Sequence, residues 1–181
     1  MRFKLPRTYK LLLALALVAG PLYWLMFTED GRRRSDLFLL QILGKPSFNI
    51  GYDRLSGAVT HADIEAQFPK IDFQCVEHRS ALGDEVCGAE IASFNGLPAR
   101  RALLHYGAGR LTALRLDYRR HYHGLLTQSL SNGLGQPSVE AGGSTLRWRA
   151  PGGIIVLPAG QPQSDANAAL MWLSPALTGD Y

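Results

Sequence analysis

RRALLHYGAGRLTALRLDY, residues 100–118, is the stretch that sets the fold class. Two arms, Arg100–Tyr106 and Arg110–Tyr118, flank Gly107-Ala108-Gly109. Glycines at such a tip supply backbone conformations that other residues resist, as a hairpin turn requires. In the second arm Leu114, Leu116 and Tyr118 alternate with Arg115, Asp117 and Arg119. Side chains of a strand point alternately to opposite faces. The arm therefore predicts an antiparallel sheet with one dry face and one wet face. The glycines do not form a phosphate loop: strands flank them, and no Lys-Ser/Thr pair follows.

Toward the C-terminus, Tyr122, Leu125, Leu126, Ser129, Leu130 and Leu134 recur at helical spacing and predict a helix over 120–134, ended by Gly135-Gln136-Pro137. Gly124 and Gly133 weaken it, so its stability must come from docking on the sheet. After a Gly/Ser-rich linker, 138–144, comes a second hairpin. Leu146 and Trp148 alternate with Arg147 and Arg149, Ala150-Pro151-Gly152-Gly153 turns, and Ile154–Leu157 returns. Ala168–Leu173 is a last apolar strand, and Trp148 and Trp172 are expected in the core.

Toward the N-terminus, Cys87–Phe94 reads as a strand, followed by the turn Asn95-Gly96-Leu97-Pro98. Ile71–Val76 reads as another strand, leading into a polar loop between the cysteines. Thr60–Phe68 carries a helix signal. Thr60 is placed as N-cap with Asp63 three residues on, Ile64 and Phe68 share a face, and Pro69 stops the run. Helix, strands, helix, strands predicts an α+β fold: one domain, 46–175, of mostly antiparallel sheet with two helices packed on one face. Each half reads as a helix followed by strands, though no sequence repeat relates them.

Leu11–Phe27, LLLALALVAGPLYWLMF, holds no charge. At about 1.5 Å per residue it reaches about 25 Å, enough to cross a bilayer if Lys10 snorkels. Tyr23 and Trp24 sit where interfacial aromatics are favoured. A cleaved signal peptide would use LLLALALVAG as its apolar core, but would leave Pro21 as the first mature residue. The expectation is a signal anchor over 11–27, with a basic arm over 1–10, a stalk and juxtamembrane segment over 28–45, and a tail over 176–181. Within the stalk, Asp36–Gly44 is a second apolar patch too short to span. Four basic residues precede the run and Arg32, Arg33 and Arg34 follow it, a thin margin for an N-terminus in the cytoplasm.

Cysteine usage breaks the tie. Cys75 and Cys87 are the only two, too far apart for a CxxC motif, and a disulfide between them is the natural reading in an oxidising compartment. The loop-entropy model gives such a bridge about 3 kcal/mol. The body is then periplasmic and the anchor lies in the inner (cytoplasmic) membrane. The chain is formally +4, but seven of its 19 basic residues flank the apolar run. From Ser35 onward 12 basic residues face 13 acidic ones, so the basic pI argues for no nucleic-acid partner.

Catalytic signals are few. His121 and His123 diverge by about 200° on a helix, so no metal site is assigned and no cofactor is expected. Ser93, Ser129 and Ser131 lie in no GxSxG pattern. Arg115, Arg119, Arg147 and Arg149 fall on wet strand faces or strand ends. If the two hairpins are neighbours, these four form a guanidinium-rich patch suited to carboxylates or phosphates.

Three pieces carry a resemblance: Thr60–Pro69; Leu134-Gly135-Gln136-Pro137; and Leu146-Arg147-Trp148-Arg149 with Gly152-Gly153. Together they resemble small bacterial envelope modules, namely the accessory lipoproteins of outer-membrane assembly and β-lactamase-inhibitor-like domains. The chain departs from the lipoproteins in having no cysteine before Cys75 to carry a lipid. The resemblance implies a non-catalytic module that works by contact, and it carries over no functional residue. The leading expectation is a non-enzymatic, membrane-anchored subunit with a protein partner in envelope assembly or a membrane complex. A binding module for anionic lipid or glycan comes second, and an envelope hydrolase third.

Overall fold

A computed structural model describes residues 6–42, 44–139 and 142–179. Arg2 and Lys4 of the basic arm, Leu43 of the second apolar patch, Glu140 of the linker and the last two residues of the tail lie outside the described residues. The chain is α+β, built on a ten-stranded, mostly antiparallel open sheet with a few helices.

Helix α1, Arg7–Phe27, contains the one segment among the described residues, Thr8–Leu25, that is long and apolar enough to cross a membrane. A signal sequence meets the same criterion. Thr28 ends α1: its hydroxyl donates to the Trp24 carbonyl at 2.7 Å and accepts from the Gly31 amide at 3.0 Å, opening α2, Glu29–Ile42. The hydroxyl thus serves two helix ends, satisfying groups that the termini leave unpaired. The span read as a charged stalk plus an apolar patch is therefore one helix. Asp36 and Leu37 lie four and three residues before Leu40 on its turns, and Leu40 is buried.

Strand β1, Ser47–Phe48, precedes α3, His61–Gln67. The Asp63 amide donates to the Thr60 hydroxyl at 3.3 Å and the Thr60 amide donates to the Asp63 carboxylate at 2.9 Å, closing the capping box. Next come β2, Gln74–Ser80, and β3, Gly83–Glu90. They pair as a hairpin, so the segment between the cysteines, expected as a loop, is mostly sheet. It reads as loop because β2 is an edge strand. Glu77, His78 and Arg79 lie exposed on it, and charge on an edge discourages pairing with other chains.

Strand β4, Ser93–Phe94, leads into the long hairpin β5, Leu97–Gly107, and β6, Arg110–Tyr118. Its tip holds Ala108 and Gly109 at φ of 50° and 74°. After a single 3₁₀ turn, Arg120–Tyr122, helix α4 runs His123–Leu134. Strands β7, Ser138–Val139, β8, Thr145–Ala150, β9, Gly153–Pro158, and β10, Ala169–Leu173, follow, with α5, Pro175–Thr178, last.

The central antiparallel run is β2-β3-β5-β6-β10-β9-β8-β7, and β1 and β4 extend the start of β5. The two hairpins expected as possible neighbours are separated by β10, which inserts beside β6. Each half of the chain, helix then strands, brings its last strand to the middle, where β6 meets β10. The strand order is symmetric about that join, although the sequences of the halves are not.

One row of residues crosses the sheet on its inner face: Trp148, Ile155, Trp172, Leu114, Leu104, Cys87 and Cys75. All but Cys75 are buried, and the same cluster takes in Ile64 of α3 and Leu126 and Leu130 of α4. Burying one large apolar side chain is worth about 1.5–3 kcal/mol. This row therefore contributes to the stability of the body and sets its register, since a one-residue slip would turn every member outward.

Candidate functional site

The opposite face of the sheet is the candidate site. Its middle row runs Gln74, Gly88, Leu103, Arg115, Met171, Val156, Arg147. The adjacent row runs Val76, Val86, His105, Ala113, Leu173, Ile154, Arg149. Val76 is 59% exposed, and Val86, Leu103, Met171, Leu173, Ile154 and Val156 are half-buried. The face is thus an apolar band with histidine and arginine set into it.

Arg115 and Arg147 share a row. Three strand spacings of about 4.8 Å place their backbones about 14 Å apart. Arg149 lies in the neighbouring row, two residues along β8. Arg119 leaves this group: it follows β6 and turns to Asp36 of α2, its Nη1 donating at 3.1 Å. Of the four candidate arginines, the structure places three on one face and the fourth at the helix junction.

Arg115 is already engaged. Its Nε donates to Asp117 Oδ1 at 2.8 Å, while Arg101 donates to Oδ2 through Nε at 3.2 Å and Nη2 at 2.9 Å. Asp117 is only 5% exposed. Two guanidinium partners are what makes a carboxylate tolerable at that depth. Beside it, Leu40, Lys45, Glu90, Arg100, Arg101 and Arg119 line an open cleft of about 470 Å³. Its cations are largely committed, since Lys45 Nζ sits 2.8 Å from Glu90 Oε2.

The outer face also holds His105, whose pKa is lowered first by burial and then by the neighbouring charges of His78 and Arg115. Burial and these neighbours thus favour the neutral form of His105.

At the junction with α2, Asp36 Oδ2 accepts from Tyr122 Oη at 2.8 Å as well as from Arg119, and His121 Nε2 lies 3.9 Å away. Burial and the bond to Asp36 push the Tyr122 hydroxyl pKa up. His123 points elsewhere. It is buried, its Nδ1 lies 2.7 Å from Tyr118 Oη, and burial lowers its pKa. His121 and His123 therefore serve different neighbours. Ser93 is buried with its hydroxyl donating to Ser47 Oγ at 2.8 Å.

Cys75 and Cys87 stand opposite each other on β2 and β3, 3.9 Å apart at Cα, and are joined as a disulfide. A residue with no marker in the sequence joins them. His61, at the start of α3, brings Nε2 to 3.5 Å from Cys75 Sγ. Fourteen residues separate His61 from Cys75, and only the docking of α3 on the sheet unites them. No family model, no curated protein and no solved structure matches this chain.

Proposed function

We propose that the chain is a non-enzymatic, single-pass membrane protein that holds its α+β body, 46–175, outside the cytosol and binds a protein partner through the outer face of the sheet. The observation that carries this is the outer face itself. A mostly buried inner face lies behind an outer face on which Leu103, Met171, Val156, Leu173 and Ile154 stay half-exposed. Exposed apolar patches mark interaction sites, and an apolar band with arginine set into it matches the composition of protein interfaces. The apolar α1 supports a tether in the inner membrane. The Cys75–Cys87 bridge is compatible with an oxidising compartment such as the periplasm.

Photo-crosslinking in intact membranes tests the proposal. A photoreactive residue at Leu103, Met171 or Val156 should give one and the same discrete crosslinked species. The exposed Val139 on β7, at the edge of the sheet, should not. Absence of a common product from the three face positions refutes it. Binding of an anionic lipid or glycan is the second proposal, favoured by Arg115 and Arg147 sharing a row. It ranks below the first because Arg115 and Arg119 already hold carboxylates. Replacing Arg115, Arg147 and Arg149 together should abolish binding to anionic vesicles, and no binding by the unaltered protein disposes of it.

A further inference from the structure

We propose that the Cys75–Cys87 pair, once reduced, forms with His61 a binding site for a thiophilic divalent ion, Zn²⁺. The site is independent of the outer-face proposal, because it lies on the inner side of the sheet beneath α3. Its donor atoms, His61 Nε2, Cys75 Sγ and Cys87 Sγ, all fall within 4.8 Å of one another. The backbone holds them there. The two cysteines face each other across the β2–β3 ladder, so their sulfurs stay neighbours whether or not they are bonded. His61 is fixed by the capped first turn of α3 and by its ring lying edge-on to Tyr106 at 5.8 Å between centroids. Glu65, one turn further along α3, has Oε1 3.6 Å from His61 Nε2, the imidazole nitrogen that an ion would take over, so it is not counted among the donors. Two thiolates and an imidazole are three zinc ligands, with the fourth tetrahedral position left to water.

A second observation points to the same place. Tyr106, the ring against His61, is fully buried, and its hydroxyl has no hydrogen-bond partner among the described residues. Metal-binding groups are normally oriented by such outer hydrogen bonds. A water held by the ion as its fourth ligand would give this hydroxyl an acceptor.

The disulfide keeps the site closed. Opening it takes two electrons, which an external dithiol supplies. The dithiol's two sulfurs bond to each other, and their two protons pass to Cys75 and Cys87. Zn²⁺ then displaces both protons as it binds the thiolates. Attack starts at Cys75, the half-buried sulfur on the His61 side, because Cys87 is 0% exposed.

The test uses the full chain in detergent, reduced with a phosphine and freed of reductant without air. Co²⁺ is added as a spectroscopic stand-in for Zn²⁺. The reduced protein should bind one Co²⁺ with a thiolate-to-cobalt charge-transfer band and tetrahedral visible bands, and Zn²⁺ should displace it. The oxidised protein and Cys75→Ser should lack the band, and His61→Ala should weaken binding at least tenfold. As a second readout, Zn²⁺ should protect both reduced thiols from alkylation. The proposal is overturned if the reduced chain keeps its near-ultraviolet circular dichroism yet shows no charge-transfer band. It is equally overturned if His61→Ala binds as tightly as the parent, or if reduction alone unfolds the body.

Discussion

Replacing Asp36 with alanine should release helix α2 from the body while leaving the body folded. Asp36 Oδ2 accepts from Arg119 Nη1 at 3.1 Å and from Tyr122 Oη at 2.8 Å. A hydrogen bond to a charged group is worth about 1.5–3 kcal/mol when sheltered. The Asp36 and Arg119 side chains are 27% and 33% exposed, so water takes up part of what is lost. A net cost of about 1–2 kcal/mol follows for the pair of bonds, which is about a 5- to 30-fold rise in the undocked population. Leu40 keeps its apolar contact, so the helix should undock transiently rather than detach.

Hydrogen exchange reads this directly, because local opening appears as loss of amide protection confined to the moving element. Amides of α2 should exchange about 5–30 times faster, with those of β5, β6 and β10 unchanged. Tyr122→Phe should give a smaller effect of the same kind. In the double variant the two effects should fall short of additive by about 0.5–1.5 kcal/mol, the signature of partners in one bond. The reasoning fails if α2 exchange is unaltered, or if protection falls equally through the whole sheet.

Further predictions concern the core, helix α4 and pH. Leu114→Ala, in the middle of the inner row, should cost about 2–5 kcal/mol in urea unfolding, while Met171→Ala on the outer face should cost about 1 kcal/mol or less. Gly124→Ala and Gly133→Ala should each stabilise by about 0.5–1 kcal/mol, because both are helical and a Cβ at either meets open space; thermal melting checks this. His105 and His123 both have folded-state pKa values below their ordinary value. Their contribution is therefore fully present above about pH 6.5 and is lost as pH falls through the lowered values. The urea midpoint should drop from pH 7 to pH 5, and changing both residues to glutamine should flatten that slope.

What the sequence disclosed follows from how local each signal is. The 100–118 hairpin, the Thr60–Asp63 cap and the stop at Gly135 rest on neighbours within a few residues, and they stand in the structure. The β2–β3 hairpin was hidden because an exposed charged edge has no apolar alternation to read. The junction of α2 was hidden because Asp36 meets Arg119 and Tyr122 from more than 80 residues away. The arginine patch was legible only in part. Alternation assigns Arg115, Arg147 and Arg149 to wet faces, but it cannot say that β10 and β9 lie between them or that Arg119 turns aside. His61 was invisible for the same reason as Asp36: its role depends on where a helix lands.

The insertion of β10 beside β6 also explains why the outer face stays open. The chain leaves the first half through α4, which packs on the inner side with Leu126 and Leu130 in the core. The long connection from β9 to β10 is held at the end of the sheet. There the Arg120 amide donates to the Asp165 carboxylate at 2.8 Å, Arg120 Nη1 to the Gln163 carbonyl at 2.8 Å, and Arg100 Nη2 to the Asp165 carbonyl at 3.0 Å. Without those anchors a polar segment of this length could fold back over Met171 and Val156. With them, the β9–β10 connection keeps off the outer face, as does the passage between the halves through α4. Arg120→Ala and Arg100→Ala together with Asp165→Ala, which removes the acceptor of the Arg120 amide, should free that connection. Such a variant should lose crosslinking at Met171 and Val156 before it loses crosslinking at Leu103, which lies on the far side of the β6–β10 join. Equal loss at all three positions would mean that the pinned connection does not guard the face.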